Sequence, residues 1–148
     1  MLKKTITYTD WNGEERTEDF YFNLTRVEVV ELEYDVAPGT SLSDWLDTLI
    51  KSKDYGQIMQ TIKKIILTAY GEKSADGRRF MKNDDIRRSF EENPAFDELY
   101  MSMVTDSKKA AEFLSGIMPS AVRDNLGANP TETLVNKMEQ YQATKKLV

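Results

Sequence analysis

The segment AYGEKSADGRRFMK, residues 69 to 82, holds residue types that could bind phosphate: two glycines, a Lys-Ser pair and two adjacent arginines. A P-loop needs its Lys-Ser at the start of a helix, and a dinucleotide-binding turn needs its glycines directly after a strand. Here Lys73-Ser74 follows a segment with helical periodicity, and the Walker spacing is absent. We therefore interpret the segment as a helix end, a turn at Asp76-Gly77 and an extended link to the next helix.

Clusters of acidic residues could in principle bind a divalent cation or catalyse glycoside hydrolysis. Solvated helix faces and favourable charges at helix ends explain most of them. The chain also has no cysteine and no histidine, which excludes disulfides, thiol catalysis, histidine triads and the usual zinc ligand sets. We predict a protein that is not an enzyme, with no catalytic residue, no metal site and no cofactor. The clusters are Glu31, Glu33 and Asp35; Asp84 and Asp85; Glu91 and Glu92.

Length and charge restrict the protein class further. A chain of 148 residues with 40% hydrophobic residues predicts one soluble globular domain. The net charge of -5 disfavours general nucleic-acid binding. The N-terminus lacks the apolar run of a signal peptide, and no stretch is apolar enough to span a membrane. We expect a cytoplasmic protein with neither nucleic acid nor membrane as partner.

Residues 2 to 22 alternate apolar and polar side chains around Asn12-Gly13, which predicts a β-hairpin. A two-residue loop would pair Ile6 with Asp19 and separate the apolar side chains onto two faces. A three-residue loop, residues 11 to 13, with Gly13 in a left-handed conformation unites them on one face. We therefore predict the longer loop, and the shared face is Leu2, Ile6, Tyr8, Phe20 and Phe22.

From Thr25 to Pro119, the sequence pattern predicts mainly helices. Thr25 and Glu28 form a capping-box pattern that predicts a short helix to about Tyr34, although VEVVELEYDV also alternates and a third strand competes with the helix. Gly71 is expected to end the clearest helix in the left-handed conformation. Helices are predicted at about 42–52 and 54–70, at 84–92 with Asn83 as its cap, from Asn93-Pro94 with Asn93 as its cap, and from Thr105-Asp106 to Pro119.

These elements predict an α+β fold in a single domain, residues 1–119. The N-terminal hairpin, 2–22, packs on a mainly α-helical part, 25–119, with five to six helices. Residues 120–148 are predicted to form a linker and a weakly structured tail, either amphipathic or flexible. Within it, residues 131–143 can form a weak helix with an apolar side that contains Leu134, Val135, Met138 and Tyr141.

Three stretches carry a family resemblance: FYFNLTRVEVVELE (20–33), AYGEKSADGRRFMKNDDIRRSF (69–90) and FDELYMSMVTDSKKAAEFLSGIMP (96–119). Their order over residues 20 to 118 resembles the small tail assembly chaperones of long-tailed bacteriophages. The second and third stretches are the specific ones. The segment DSKKAAEF is more basic than the small and acidic residues that the family usually has at that position. The chain beyond Pro119 matches nothing in the family pattern.

The resemblance implies a non-catalytic chaperone. Such proteins bind the tape measure protein, a long helical chain that sets tail length, keep it soluble, and recruit tail tube subunits. They act in the host bacterial cytoplasm and are absent from the mature virion. A homo-oligomer is possible. Three other classes stay open: a permanent head–tail or tail component, a small nucleic-acid-binding adaptor, and a carboxylate enzyme.

A protein that covers apolar helix surface needs an exposed apolar groove or stripe of its own. We hypothesise that the C-terminal residues or the edge of the hairpin contribute to it. Arg78 and Arg79 are expected to pair with Asp84, Asp85 or another subunit in preference to a phosphate. The candidate partner-binding residues are Tyr8, Tyr21, Arg78, Arg79, Leu134, Met138 and Tyr141.

Overall fold

The computed structural model describes residues 1–36 and 54–119, and between them residues 39, 41 and 44. The described strands form one antiparallel sheet in the order β1-β2-β3-β4. They are β1 (Leu2–Thr9), β2 (Glu15–Phe22), β3 (Tyr70–Lys73) and β4 (Phe80–Met81). The described helices are α1 (Arg26–Val36), α2 (Tyr55–Ala69), α3 (Asp84–Glu91), α4 (Pro94–Thr105) and α5 (Ser107–Ile117). The predicted α+β class is confirmed.

The first hairpin has the predicted register. Ile6 lies opposite Glu18, the Asp10 amide donates to the Glu14 carbonyl at 2.8 Å, and Gly13 has a φ of 82°. The three-residue loop is therefore confirmed, and it directs the large apolar side chains of both strands into the core. The buried ones are Ile6, Tyr8, Phe20 and Phe22, with Leu2 packed against them.

A second hairpin occupies residues 70 to 81, where the sequence predicted a helix end, a turn at Asp76-Gly77 and an extended link but no paired strands. Strand β3 follows α2 without a loop, because Tyr70 is already extended (φ -67°, ψ 140°). The predicted left-handed Gly71 is wrong, since its φ is not positive. A Cβ at Gly71 would lie 2.8 Å from Cε2 of the Phe80 ring and 3.0 Å from the Met81 carbonyl oxygen. Glycine is required here for close packing against β4.

The turn of this second hairpin satisfies its own polar groups. The carboxylate of Asp76 accepts hydrogen bonds from the Ser74 hydroxyl at 2.7 Å and the Arg78 amide at 3.1 Å. The Ser74 amide donates to the Arg79 carbonyl at 2.8 Å, and Gly77 has a φ of 73°. The predicted turn at Asp76-Gly77 is confirmed, and the amides of Ser74, Gly77, Arg78 and Arg79 donate within the turn.

Side-chain caps set where the helices begin. The Glu28 amide donates to the Thr25 hydroxyl at 3.1 Å and the Glu28 carboxylate accepts from the Thr25 amide at 3.0 Å, so α1 is a helix and not a third strand. Asn83, Asn93 and Asp106 cap α3, α4 and α5, as predicted. The predicted helix at 42–52 and the tail at 120–148 lie outside the described residues.

One aromatic cluster joins the sheet to the helices. The Phe22 side chain is fully buried, and its ring centroid lies 5.6 Å from Tyr70, 5.6 Å from Phe90 and 5.1 Å from Phe113. The Tyr70 and Phe90 rings stack at 4.2 Å. Burial raises the pKa of Tyr70 to about 12. Strands β2 and β3 therefore share one core with α3 and α5.

Gly71→Ala is expected to destabilise the fold. The added methyl overlaps the Phe80 ring, and the overpacking should reduce the free energy of unfolding by about 1–3 kcal/mol. Urea denaturation followed by circular dichroism measures this change. Gly56→Ala is the matched control, because the nearest atom to its Cβ is Asp54 Oδ1 at 4.0 Å. The control should be neutral or stabilising by up to about 1 kcal/mol, and an equal loss in both variants would refute the packing argument.

The Asp10 carboxylate is expected to make the first hairpin sensitive to acid. The Arg16 guanidinium donates to it at 2.6 Å, and the amides of Asn12 and Glu14 donate at 2.9 Å, so its pKa lies below the ordinary value of 3.8. A lowered folded-state pKa contributes stability that is complete above 3.8 and is lost as the pH falls through the folded value.

The test is an NMR titration of the Asp10 carboxyl carbon together with the free energy of unfolding against pH. Asp10→Asn removes the titration while keeping an acceptor, and should flatten the acid limb of the stability curve. A titration midpoint at or above 3.8 would contradict the assignment.

Candidate partner-binding surface

Helix α1 presents apolar side chains on two opposite sides. Val29 and Leu32 are buried in the core, at 2% and 3% exposure. Val27, Val30 and Tyr34, spaced i, i+3, i+7, are 65%, 64% and 71% exposed. This spacing places the three exposed side chains on one face of the helix. We call these three residues the α1 stripe.

The inner side of α1 is fixed to the second hairpin by Lys82. Its ammonium lies 2.7 Å from the Glu28 carboxylate and 2.6 Å from the Asn23 carbonyl oxygen, and 5.5 Å from the centroid of the Phe80 ring. Burial lowers the pKa of Lys82, and the Glu28 carboxylate acts in the opposite direction. A second, more exposed ion pair joins Lys64 on α2 to Asp35 at 3.5 Å. These contacts hold the helix while its outer face points to solvent.

Opposite charges flank the α1 stripe. Arg26, Val27, Val30 and Glu31 line a shallow groove whose surface is almost entirely apolar. Both charged side chains are exposed. Such a surface can pack against one face of an amphipathic helix, with charges on either side to set the alignment.

The two tyrosines predicted at the hairpin edge have different surroundings. Tyr8 is only 6% exposed, and its hydroxyl donates to the Glu18 carboxylate, which with burial raises the Tyr8 pKa. Tyr21 lies on the opposite face of the sheet, is partly exposed, and has the Lys73 ammonium 4.1 Å from its ring centroid. The structure therefore does not bring the two tyrosines together, and of the pair Tyr21 is the more accessible.

Arg78 and Arg79 are exposed in the turn between β3 and β4. Their predicted pairing with Asp84 and Asp85 is wrong, because these carboxylates pair with Arg87 at 3.0 Å and Arg88 at 3.9 Å on the same helix. Pairs spaced i, i+3 on one helix need no tertiary contact to form. Contact of Arg78 and Arg79 with another subunit stays a prediction.

Leu134, Met138 and Tyr141 lie outside the described residues, and their partner-binding role stays a prediction. The α1 stripe was missed by sequence reasoning. Its signal was present, since apolar residues at positions 27, 29, 30, 32 and 34 exceed what one buried helix face needs. The same excess made a strand compete with a helix for this segment.

Among the described residues, no group of three or more acidic side chains is arranged to hold a metal ion. In the same part of the chain, no helix has the length and apolar character needed to cross a membrane. The two acids in the first turn of α3, Asp84 and Asp85, pair with Arg87 and Arg88, which accounts for one of the acidic clusters in the sequence.

Lys82→Ala is expected to loosen α1. It leaves the partly buried Glu28 carboxylate and the Asn23 carbonyl without their shared donor, which should lower the free energy of unfolding by about 1–3 kcal/mol. Lys64→Ala removes the exposed pair with Asp35 and should cost about 0–1 kcal/mol. Chemical denaturation of both variants compares them, and equal losses would show that Lys82 does not anchor the helix.

Comparison with known proteins identifies the family. A family model described as phage tail assembly chaperone matches residues 1–147, nearly the whole chain. No curated protein and no solved structure matches the chain. The chain belongs to the phage tail assembly chaperone family, and the α1 stripe is its candidate contact surface.

Proposed function

We propose that this chain binds the tape measure protein, keeps it soluble before the tail tube forms, and helps to recruit tail tube subunits. Membership of a tail assembly chaperone family supports the general role. The observation that carries the proposal is the α1 stripe, an apolar helix face that the described part of the chain leaves exposed. The proposed role is non-catalytic and needs no cofactor.

The α1 stripe suits a long helical client. Helix-in-groove recognition places anchors at i, i+3 and i+7, which is the spacing of Val27, Val30 and Tyr34. Tyr34 adds a large rigid contact area at low cost in side-chain entropy. Val29, Leu32 and Lys82 fix the inner side of α1, so the α1 stripe is in position before the client binds. Little conformational entropy is therefore lost on binding.

The proposed role implies where in the cell the protein acts. A chaperone of this kind acts in the host bacterial cytoplasm and leaves before the particle is complete. Mass spectrometry of purified virions would separate it from a permanent head–tail or tail component, since only the permanent component is retained in stoichiometric amounts.

Replacing the α1 stripe with glutamine, as Val27→Gln, Val30→Gln and Tyr34→Gln together, is expected to weaken client binding. The three sites are exposed, so the fold should be retained, while the affinity for the tape measure protein should fall roughly 10-fold or more. Co-expression measures the soluble fraction of the tape measure protein, and pull-down measures the complex.

Met101→Gln is the control, because Met101 is another apolar side chain, 48% exposed, on α4. It should bind the client as the parent does. Unchanged binding by the folded triple variant would contradict the assignment of the surface. A chain ending at Pro119 tests, in the same assay, the predicted contribution of Leu134, Met138 and Tyr141. If this shortened chain binds the client as the parent does, the three residues are not needed for binding.

A further inference from the structure

The described domain ends beside the start of α1. The Leu24 amide donates to the Ile117 carbonyl at 3.0 Å, and both side chains are buried. Thr25 caps α1 on one side of this bond, and Pro119 follows two residues after Ile117 on the other. The C-terminal segment, residues 120–148, therefore leaves the domain next to the first turn of the helix that carries the α1 stripe.

The linker at the start of that segment is long enough to reach the whole stripe. Residues 120–130 can span roughly 36 Å when extended. Helix α1 has 11 residues and is about 16 Å long. A helix formed by residues 131–143 can therefore lie along α1 in either direction without strain in the connection.

The two apolar faces match in spacing. Leu134, Met138 and Tyr141 recur at i, i+4 and i+7 in the sequence, and the α1 stripe recurs at i, i+3 and i+7. Two faces of this kind pack side by side as in a helical hairpin or a short coiled coil.

The charges are also complementary. Glu31 is exposed at the rim of the stripe, and Lys137 precedes Met138 on the tail. Over whole segments, α1 holds one base against four acids, and residues 131–148 hold three bases against two acids. Opposite charges beside an apolar seam set its alignment more than its affinity.

We propose that residues 131–143 dock as an amphipathic helix on the α1 stripe of their own chain when no client is present. A tethered segment acts at an effective concentration of about millimolar, so it can cover the stripe with weak contacts and still be displaced. That a tape measure helix displaces it rests on the proposed function. The docking itself does not.

The test is a disulfide between the centres of the two faces, as Val30→Cys with Met138→Cys. The chain has no cysteine of its own, so each disulfide comes from the introduced pair. Both positions are central, so the cross-link serves either helix direction. We expect oxidation to link them within one chain, with a yield that does not change over a roughly tenfold dilution. Thr17→Cys with Met138→Cys is the control, because Thr17 is exposed on the outer face of the sheet.

Two results would overturn the docking, and a third would contradict the proposed charge alignment. Equal yields for the test and control pairs would mean that the tail does not prefer the stripe. Disulfide-linked dimers that disappear on dilution would mean that a second copy covers it. Failure of Glu31→Lys to reduce the cross-link, or failure of Lys137→Glu to restore it in that background, would remove the proposed alignment.

The same variant distinguishes this proposal from the proposed function. A tape measure fragment should reduce the yield of the disulfide between positions 30 and 138 if it competes for the stripe. If the cross-link forms and no fragment binds, the docking stands and the client assignment fails. If no cross-link forms but the glutamine variant of the stripe loses its client, the client assignment stands and the docking fails.

Discussion

The packing of Phe22 against Tyr70, Phe90 and Phe113 is the contact on which the rest of the structure depends. It joins the first hairpin to β3, to α3 and to α5, which lie far apart along the chain. It forms only if the hairpin register sends Phe22 inward, and a slip of one residue would turn the ring to solvent. The three-residue loop with Gly13 therefore does more than close a hairpin, since it decides whether the sheet and the helices share one core.

How much of this was predictable depends on how local each cause is. The hairpin register and the caps at Thr25, Asn83 and Asn93 follow from neighbouring side chains, and both were predicted correctly. Strands β3 and β4 have four and two residues, and β3 pairs with a strand nearly 50 residues away, so no local pattern marks them. Gly71 was misread because the constraint comes from the Phe80 ring, which is a tertiary contact.

The candidate surface was harder to predict than the fold. Alternation placed Tyr8 on the apolar face of the hairpin, and the structure shows that this face is buried, so Tyr8 is not an accessible edge residue. The apolar residues of α1 occur on two sides, which weakens helical periodicity and imitates the alternation of a strand. A helix with apolar side chains on both faces is therefore the element that periodicity predicts least well. An exposed stripe flanked by charge, on a chain with a net charge of -5, is compatible with solubility.

The division of α1 into two faces also bears on how such a protein changes over evolutionary time. Strands β2 and β3 pair directly, and the segment that connects them contains α2 as well as α1. Val29 and Leu32 carry the attachment of α1, while the outer positions contribute little to folding. Substitutions at Val27, Val30 and Tyr34 should thus be tolerated at small cost in stability. The inner side of this eleven-residue helix is constrained by folding, while the sequence of its outer side can vary.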